Sequence, residues 1–483
     1  MESNRHLRIA VIGAGASGIA AAIRLREIGT DHVVVFEKAA EVGGTWRDNN
    51  YPGLTCDVPS HLYRYSFAPN PDWSHKYAPG SEIQAYVSGI ADRFGVRSLI
   101  RFNHEMTEAS WTGSGWRLQT NQGDQGEFDA VISAVGVLHH PSYPRIARLA
   151  DFEGVSFHSA RWDHSVALEG KRVGIIGTGS TAVQILPAIV DGVAKVSLFQ
   201  RTAQWIFPEI NSPTSEERKQ AFRTDPSLMA QEYLRLAKLF NGAFCAALAG
   251  ENPEVYEEMR LACLNNLNTV AAPDLRSRLT PNYRVGCKRL IVSGLFYPAI
   301  QRPNAELVDD PILHAEPRGL VSQGGRLHEL DVLVLATGFE THRPFGRAIV
   351  RGAGGHTLEE AWADGNITYR AVTTPGFPNW FMIGGPYSPI GNFSFLMTAE
   401  RQISYVLQLV ELLSSQARAV APRRDATLAY FNALKERAKT SIWASGCRSW
   451  YIDAHGNIAS YPWGYDVFER DMSKPVLSDY EVA

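Results

Sequence analysis

Cysteine is scarce in this chain: five residues in 483, at Cys56, Cys245, Cys263, Cys287 and Cys447, with no Cys-x-x-Cys pair among them. That spacing excludes a local redox dithiol and a cysteine-built zinc site, and no metal is expected. The five read as buried or idle thiols of a reducing compartment. Charge of one sign is lacking too. With 47 basic and 50 acidic residues, a net charge of −3, neither a nucleic acid nor an anionic membrane is an expected partner. No apolar run approaches the ~20 residues of a membrane span. Residues 1–8 are polar and lead straight into an apolar run rather than into a secretory signal. The expectation is a cytoplasmic protein acting on small molecules, with the oligomeric state left open.

Glycine at particular places is what the chain does have. Residues 7–12 are short, apolar and partly β-branched, and are followed by Gly13-Ala14-Gly15-Ala16-Ser17-Gly18 and an apolar-periodic stretch over 19–28. Strand, tight turn and helix in that order make a dinucleotide site. One glycine serves the turn, one the close approach of backbone to pyrophosphate and one the packing of helix on strand, while the helix N-terminus attracts the anion. A second strand, 33–36, ends at Glu37, whose carboxylate can accept from ribose hydroxyls.

The pattern recurs. Residues 172–176 lead into Gly177-Thr178-Gly179-Ser180-Thr181-Ala182, a helical stretch over 183–190 and a strand over 195–199. At the offset where the first copy has Glu37, the second has Arg201, followed by Thr202. An acid repels a 2′-phosphate and an arginine can grip it bidentately, so the second site should prefer NADPH to NADH. Residues 128–136 and 330–338 also echo each other, each an apolar strand ending in a small-residue turn, and each reads as the closing strand of its unit.

The fold class is therefore α/β, with two Rossmann-like dinucleotide-binding domains and a helical insertion. Residues 1–145 with 340–483 would form the first, discontinuous domain, and 152–208 with 281–339 the second. Residues 209–280, with recurring helical spacing and many Leu, Ala, Glu and Arg residues, form the insertion. A pyridine-nucleotide disulfide reductase shares two such domains but needs a dithiol.

Between the two turns lies Phe152-Glu153-Gly154-Val155-Ser156-Phe157-His158-Ser159-Ala160-Arg161-Trp162-Asp163. It resembles the F-x-G-x-x-x-H-x-x-x-W-[PD] fingerprint of type I Baeyer–Villiger monooxygenases, with every defined position filled. The resemblance extends to Gly43-Gly44-Thr45-Trp46 followed by Tyr51-Pro52-Gly53 and Asp57, and to Gly286-Cys287-Lys288-Arg289. It implies FAD at the first turn and NADPH at the second, with a ketone and O₂ as reactants and an ester or lactone as product, by way of a C4a-peroxyflavin. By the same resemblance Gly44, Thr45, Trp46, Asp57 and Tyr63 contact FAD, and Lys288 reaches the ribose phosphate of NADPH. Trp450, in an aromatic and glycine-rich C-terminal loop, closes on NADPH. Arg289 is the catalytic cation, oriented by Asp57. A guanidinium suits that task because, unlike a lysine, it stays charged when buried. Some relatives with the full fingerprint oxidise nitrogen or sulfur, so flavin-dependent N- or S-oxygenation is the alternative. His158 and Trp162 are four residues apart, a spacing that suits one helix face, and the resemblance gives their segment a part in setting how the domains move.

Overall fold

The structure is a computed structural model describing residues 6–391, 393–453 and 455–483; residues 1–5, most of the segment read above as free of a secretory signal, lie outside it. Two five-stranded parallel sheets organise it. The first runs Trp380–Met382, Ala130–Ser133, Arg8–Ile12, His32–Phe36 and Ile100–Arg101. The second runs Ala305–Val308, Lys195–Phe199, Arg172–Ile176, Val332–Leu335 and Val155–His158. The central strands are near-continuous Val, Ile and Ala because helices or a further sheet cover both faces, so alternation with polar residues disappears.

The helix Ala16–Glu27 follows the first turn with no acid in its opening turn and Arg24 and Arg26 in its last, which leaves the positive end of its dipole free for an anion. Ser180–Ile189 occupies the same place in the second unit. Both echoing strands lie one position in from a sheet edge, a correction to their reading as closing strands. Trp380–Met382 lies outside one and Val155–His158 outside the other. The fingerprint segment is likewise a strand followed by the 3₁₀ turn Ser159–Arg161, not a helix. His158 is buried there, its Nε2 3.1 Å from the Gly338 carbonyl and its Nδ1 accepting from Ala160 N–H. Trp162 packs edge-on against Phe157 in the core of the second unit. Both therefore tie the edge strand to its sheet.

Between residues 216 and 278 the chain is helical. Ser215, Asp225 and Asn252 each accept from a backbone N–H at a helix start, the caps that expose a sequence's own helix boundaries. In this stretch Phe240–Cys245 is a π-helical turn. A sheet of Met106–Trp111, Trp116–Thr120, Gly123–Phe128 and Ile349–Arg351 covers the first parallel sheet through Trp116, Trp380 and Phe128. The sequence reading assigned no such layer. Among the described residues no helix is long and apolar enough to cross a membrane.

Candidate functional site

At the first turn, Gly13 has φ +103° and a Cβ there would meet the Ala134 carbonyl at 2.7 Å, so only glycine suits it. A Cβ at Gly18 would collide with the Gly13 carbonyl, which is the close approach of helix to strand. Gly15 faces Gly44 across the turn, its added Cβ 3.6 Å from the Gly44 Cα. Gly43 N–H donates to Ala14 and locks the two glycine loops together. Glu37 is 3 % exposed and accepts from Ala14 N–H at 2.8 Å, Ala39 N–H at 2.9 Å and Arg47 Nη1 at 3.1 Å. Arg47, which sequence reasoning did not single out, fixes the direction of that carboxylate.

A cavity of about 730 Å³ opens on this turn, its wall including Gly13, Gly15, Glu37, Thr45, Trp46 and Tyr63. Trp46 Nε1 donates to the Tyr63 hydroxyl at 3.2 Å, and the two rings meet edge to face. Glycines that exclude side chains, a helix dipole and a fixed carboxylate beside a cavity of this size fit an adenine dinucleotide such as FAD.

The second turn has the same frame and the opposite charge. Gly177 has φ +116°, and a Cβ at Gly179 would meet nothing within 4 Å. Ser180 and Thr181 begin the helix. The Thr178 hydroxyl donates to the Thr202 carbonyl at 2.7 Å, which ties the turn to the segment carrying Arg201. Lys288 lies with its ammonium 5.0 Å above the Tyr283 ring. Burial, and then the charge of Arg201, lower its pKa from the ordinary lysine value. Two cations thus converge beside an open glycine turn, an arrangement suited to a dinucleotide with an extra phosphate.

Asp57 and Arg289 meet although 232 residues apart. Asp57 Oδ2 accepts from Arg289 Nη2 at 2.6 Å and Nε at 3.1 Å, and the two side chains are 27 % and 24 % exposed. Arg289 Nη1 donates to the Gly391 carbonyl. Burial alone would lower the arginine pKa, but the Asp57 carboxylate and the Tyr451 hydroxyl outweigh it and hold it above the ordinary value. Gly391 and Tyr451 were not anticipated; neither has a sequence signal beyond lying near other glycines and aromatics. Trp450 packs on Tyr451, ring centroids 4.2 Å apart, and lines a small cavity with His342, Gly384 and Tyr387.

The expectation of five idle thiols fails for two of them. Cys287 and Cys447 form a disulfide, with Cα atoms 6.1 Å apart and 160 residues between them in sequence. Spacing rules detect only local pairs, and this one is made by tertiary packing. It joins the segment of Lys288 and Arg289 to the C-terminal loop of Trp450 and Tyr451. Cys56, Cys245 and Cys263 are buried outside any disulfide, and burial pushes each thiol pKa up, leaving them unreactive.

Residues 6–216 match a family described as flavin-binding monooxygenase-like. A Baeyer–Villiger monooxygenase of Streptomyces coelicolor is 38% identical over 488 residues, 99% of this chain and 93% of its own length. An uncharacterized monooxygenase of Mycobacterium tuberculosis is 45% identical over 456 residues, 94% and 92% of the two chains. Among solved structures, an oxidized steroid monooxygenase bound to NADP superposes with a TM-score of 0.88 at 29% identity, covering 99% of each chain. A closed cyclohexanone monooxygenase gives 0.88 at 27% identity over 100% of each. With a parallel-sheet frame at each glycine turn and likeness along nearly its whole length, the chain belongs to the flavin-binding monooxygenase family, among its Baeyer–Villiger members.

Proposed function

We propose that this chain, as an FAD-containing and NADPH-dependent Baeyer–Villiger monooxygenase, inserts one oxygen of O₂ beside a ketone carbonyl, with Arg289 as its catalytic cation and Asp57 as the group that orients it. The observation supporting this most directly is the Asp57–Arg289 pair, two charged side chains brought together from segments 232 residues apart. FAD, when bound, supplies the redox chemistry: it takes a hydride from NADPH and activates O₂ as the oxygen donor.

The protein's own groups do the rest. Gly13, Gly15, Gly18 and Gly44 keep side chains out of the pyrophosphate's place, and Glu37 receives the ribose hydroxyls. Thr45, Trp46 and Tyr63 line the wall against the flavin. Gly177, Thr178, Gly179, Ser180 and Thr181 present backbone and hydroxyl donors to the second dinucleotide, with Arg201, Thr202 and Lys288 toward its 2′-phosphate and Trp450 closing over it. Arg289 holds a fixed positive charge where negative charge develops on the carbonyl oxygen, and a preorganised donor of that kind lowers the barrier without reorganising. Residues 1–145 with 340–483 are assigned to the FAD unit, 152–208 with 281–339 to the NADPH unit, and 209–280 to a helical cover. A cytoplasmic location, where NADPH is regenerated, suits that dependence.

The test is turnover of a panel of cyclic and linear ketones and thioethers with NADPH under ¹⁸O₂. One labelled oxygen in an ester or lactone is the expected result. Labelled sulfoxide with no ester from any ketone would overturn the ketone reading in favour of heteroatom oxidation.

A further inference from the structure

The Arg289 guanidinium is held on more than one side. Asp57 takes Nε and Nη2, while Nη1 goes to the Gly391 carbonyl. The Tyr451 hydroxyl lies beside the guanidinium on its Nη1 side, and the two groups interact electrostatically. A Cβ built on Gly391 would collide with that hydroxyl and come within 3.0 Å of Arg289 Nη1, so the three groups converge on one point. Arginine has only donors, so it is the phenol oxygen that can face its N–H groups as an acceptor.

Tyr451 is itself fixed. It is 2 % exposed, its ring lies against Trp443 and Trp450, and its carbonyl accepts from Ala459 N–H at 2.7 Å. The loop carrying it is laced to the segment carrying Arg289. Cys447 is bonded to Cys287, the Ser449 hydroxyl donates to the Cys287 carbonyl at 3.3 Å, and two residues further along each segment Tyr451 and Arg289 come together at Gly391.

We infer that Tyr451 is a positioning residue for oxygen transfer: its hydroxyl, delivered by the stapled C-terminal loop, fixes Arg289 from the side opposite Asp57. This rests on the reading of Arg289 as the catalytic cation. Nε and Nη2 both end on Asp57 Oδ2, so an arginine anchored only there and at one carbonyl can swing about that oxygen, and misplacing a charge-stabilising group by about an ångström is costly in rate. Order in the C-terminal loop is thereby converted into order at the cation.

Tyr451→Phe removes the hydroxyl and keeps the ring packing. In FAD-loaded protein with ¹⁵N-labelled arginine, the Arg289 Nε–H signal, assigned by its loss in Arg289→Lys, should exchange with solvent faster in the variant. Ester formed per NADPH consumed should fall about tenfold, the effect of losing one hydrogen bond to a charged group, with hydrogen peroxide making up the difference. The KM for ketone, the rate of flavin reduction and the Tm should hold. Gly391→Ala attacks the same contact from its other side and should show the same exchange signature. Unchanged exchange in both variants overturns the inference, as does a yield loss that merely tracks a fall in Tm. Faster exchange with full yield overturns it when Arg289→Ala is inactive. If Arg289→Ala also keeps full yield, the reading of Arg289 has failed and the role of Tyr451 falls with it.

Discussion

The two glycine turns share one backbone plan and differ in how their charged residues are held. At the first, Glu37 is buried, three donors hold it in place, and it lines a cavity of about 730 Å³. At the second, Arg201 is exposed and Lys288 half-buried, and the turn at Gly179 opens on empty space. The difference suits a resident group in one site and an exchanging one in the other. A ligand that must leave gains from a site whose contacts are long, flexible and hydrated, whereas a permanent one gains from rigid, desolvated donors.

The contrast breaks most completely at Gly15. Valine there would push methyl groups into the narrow gap facing Gly44, so Gly15→Val should purify without flavin; a full complement of bound FAD by absorbance would refute the assignment of the first turn. Next comes Arg289→Ala, which removes what the two sites serve in common. Oxygen transfer should fall about 10²–10³-fold, while anaerobic flavin reduction by NADPH proceeds; wild-type ester yield would show that the pair is not catalytic. Asp57→Ala should give a milder form of the same uncoupling.

Replacing both Cys287 and Cys447 with serine tests whether the second site depends on its covalent tie. In the chain-entropy picture, a link across some hundred residues or more restricts the unfolded chain by about 4–5 kcal/mol, and the Tm should drop by several degrees; an unchanged melt would mean the bond adds nothing to folding. Arg201→Ala should then sharpen the comparison by raising the KM for NADPH about tenfold and leaving NADH nearly untouched, since a single charge-assisted contact is lost. Equal damage to both coenzymes would assign Arg201 elsewhere.

The smallest effect concerns pH. Burial, and then the charge of Arg218, push the His61 pKa down to about 4, and among the described residues neither ring nitrogen has a hydrogen-bond partner. The unfolded chain takes up that proton near pH 6.5, so from there down to about pH 4 the unfolded state binds more protons and stability falls as pH falls. His61→Phe should flatten that part of the stability curve in denaturant titrations at successive pH values.

What the sequence discloses follows from range. Glycine turns, capped helices such as Pro253–Leu267 and apolar strands such as Arg172–Ile176 are local patterns with local causes, and they stand where periodicity puts them. The antiparallel layer is harder to see because strands such as Gly123–Phe128 are polar on their open face and short of β-branched residues. The fingerprint strand was hidden because its partner, Val332–Leu335, comes more than 170 residues later. The site divides in the same way. Residue types with family spacing were legible; Arg47 on Glu37, the Gly391 carbonyl and the Tyr451 hydroxyl were not, since each matters only through a neighbour that folding brings to it.

One contact set has a mechanical consequence. Tyr51, which precedes Asp57 in the loop of the first unit, belongs to the hydrophobic core of the second. Its hydroxyl donates to Gln184 Oε1 at 2.9 Å, Gln184 Nε2 donates to the Thr55 carbonyl at 3.0 Å, and Gly53 lies so close to the helix Ser180–Ile189 that a side chain would strike the Gln184 carbonyl. If the units swivel, residues 51–55 travel with the second unit. Asp57 and Arg289 then ride as one body, and the flexure falls on the short stretches flanking that loop. The cation and its partner would then move together, so such a swivel need not dismantle the pair.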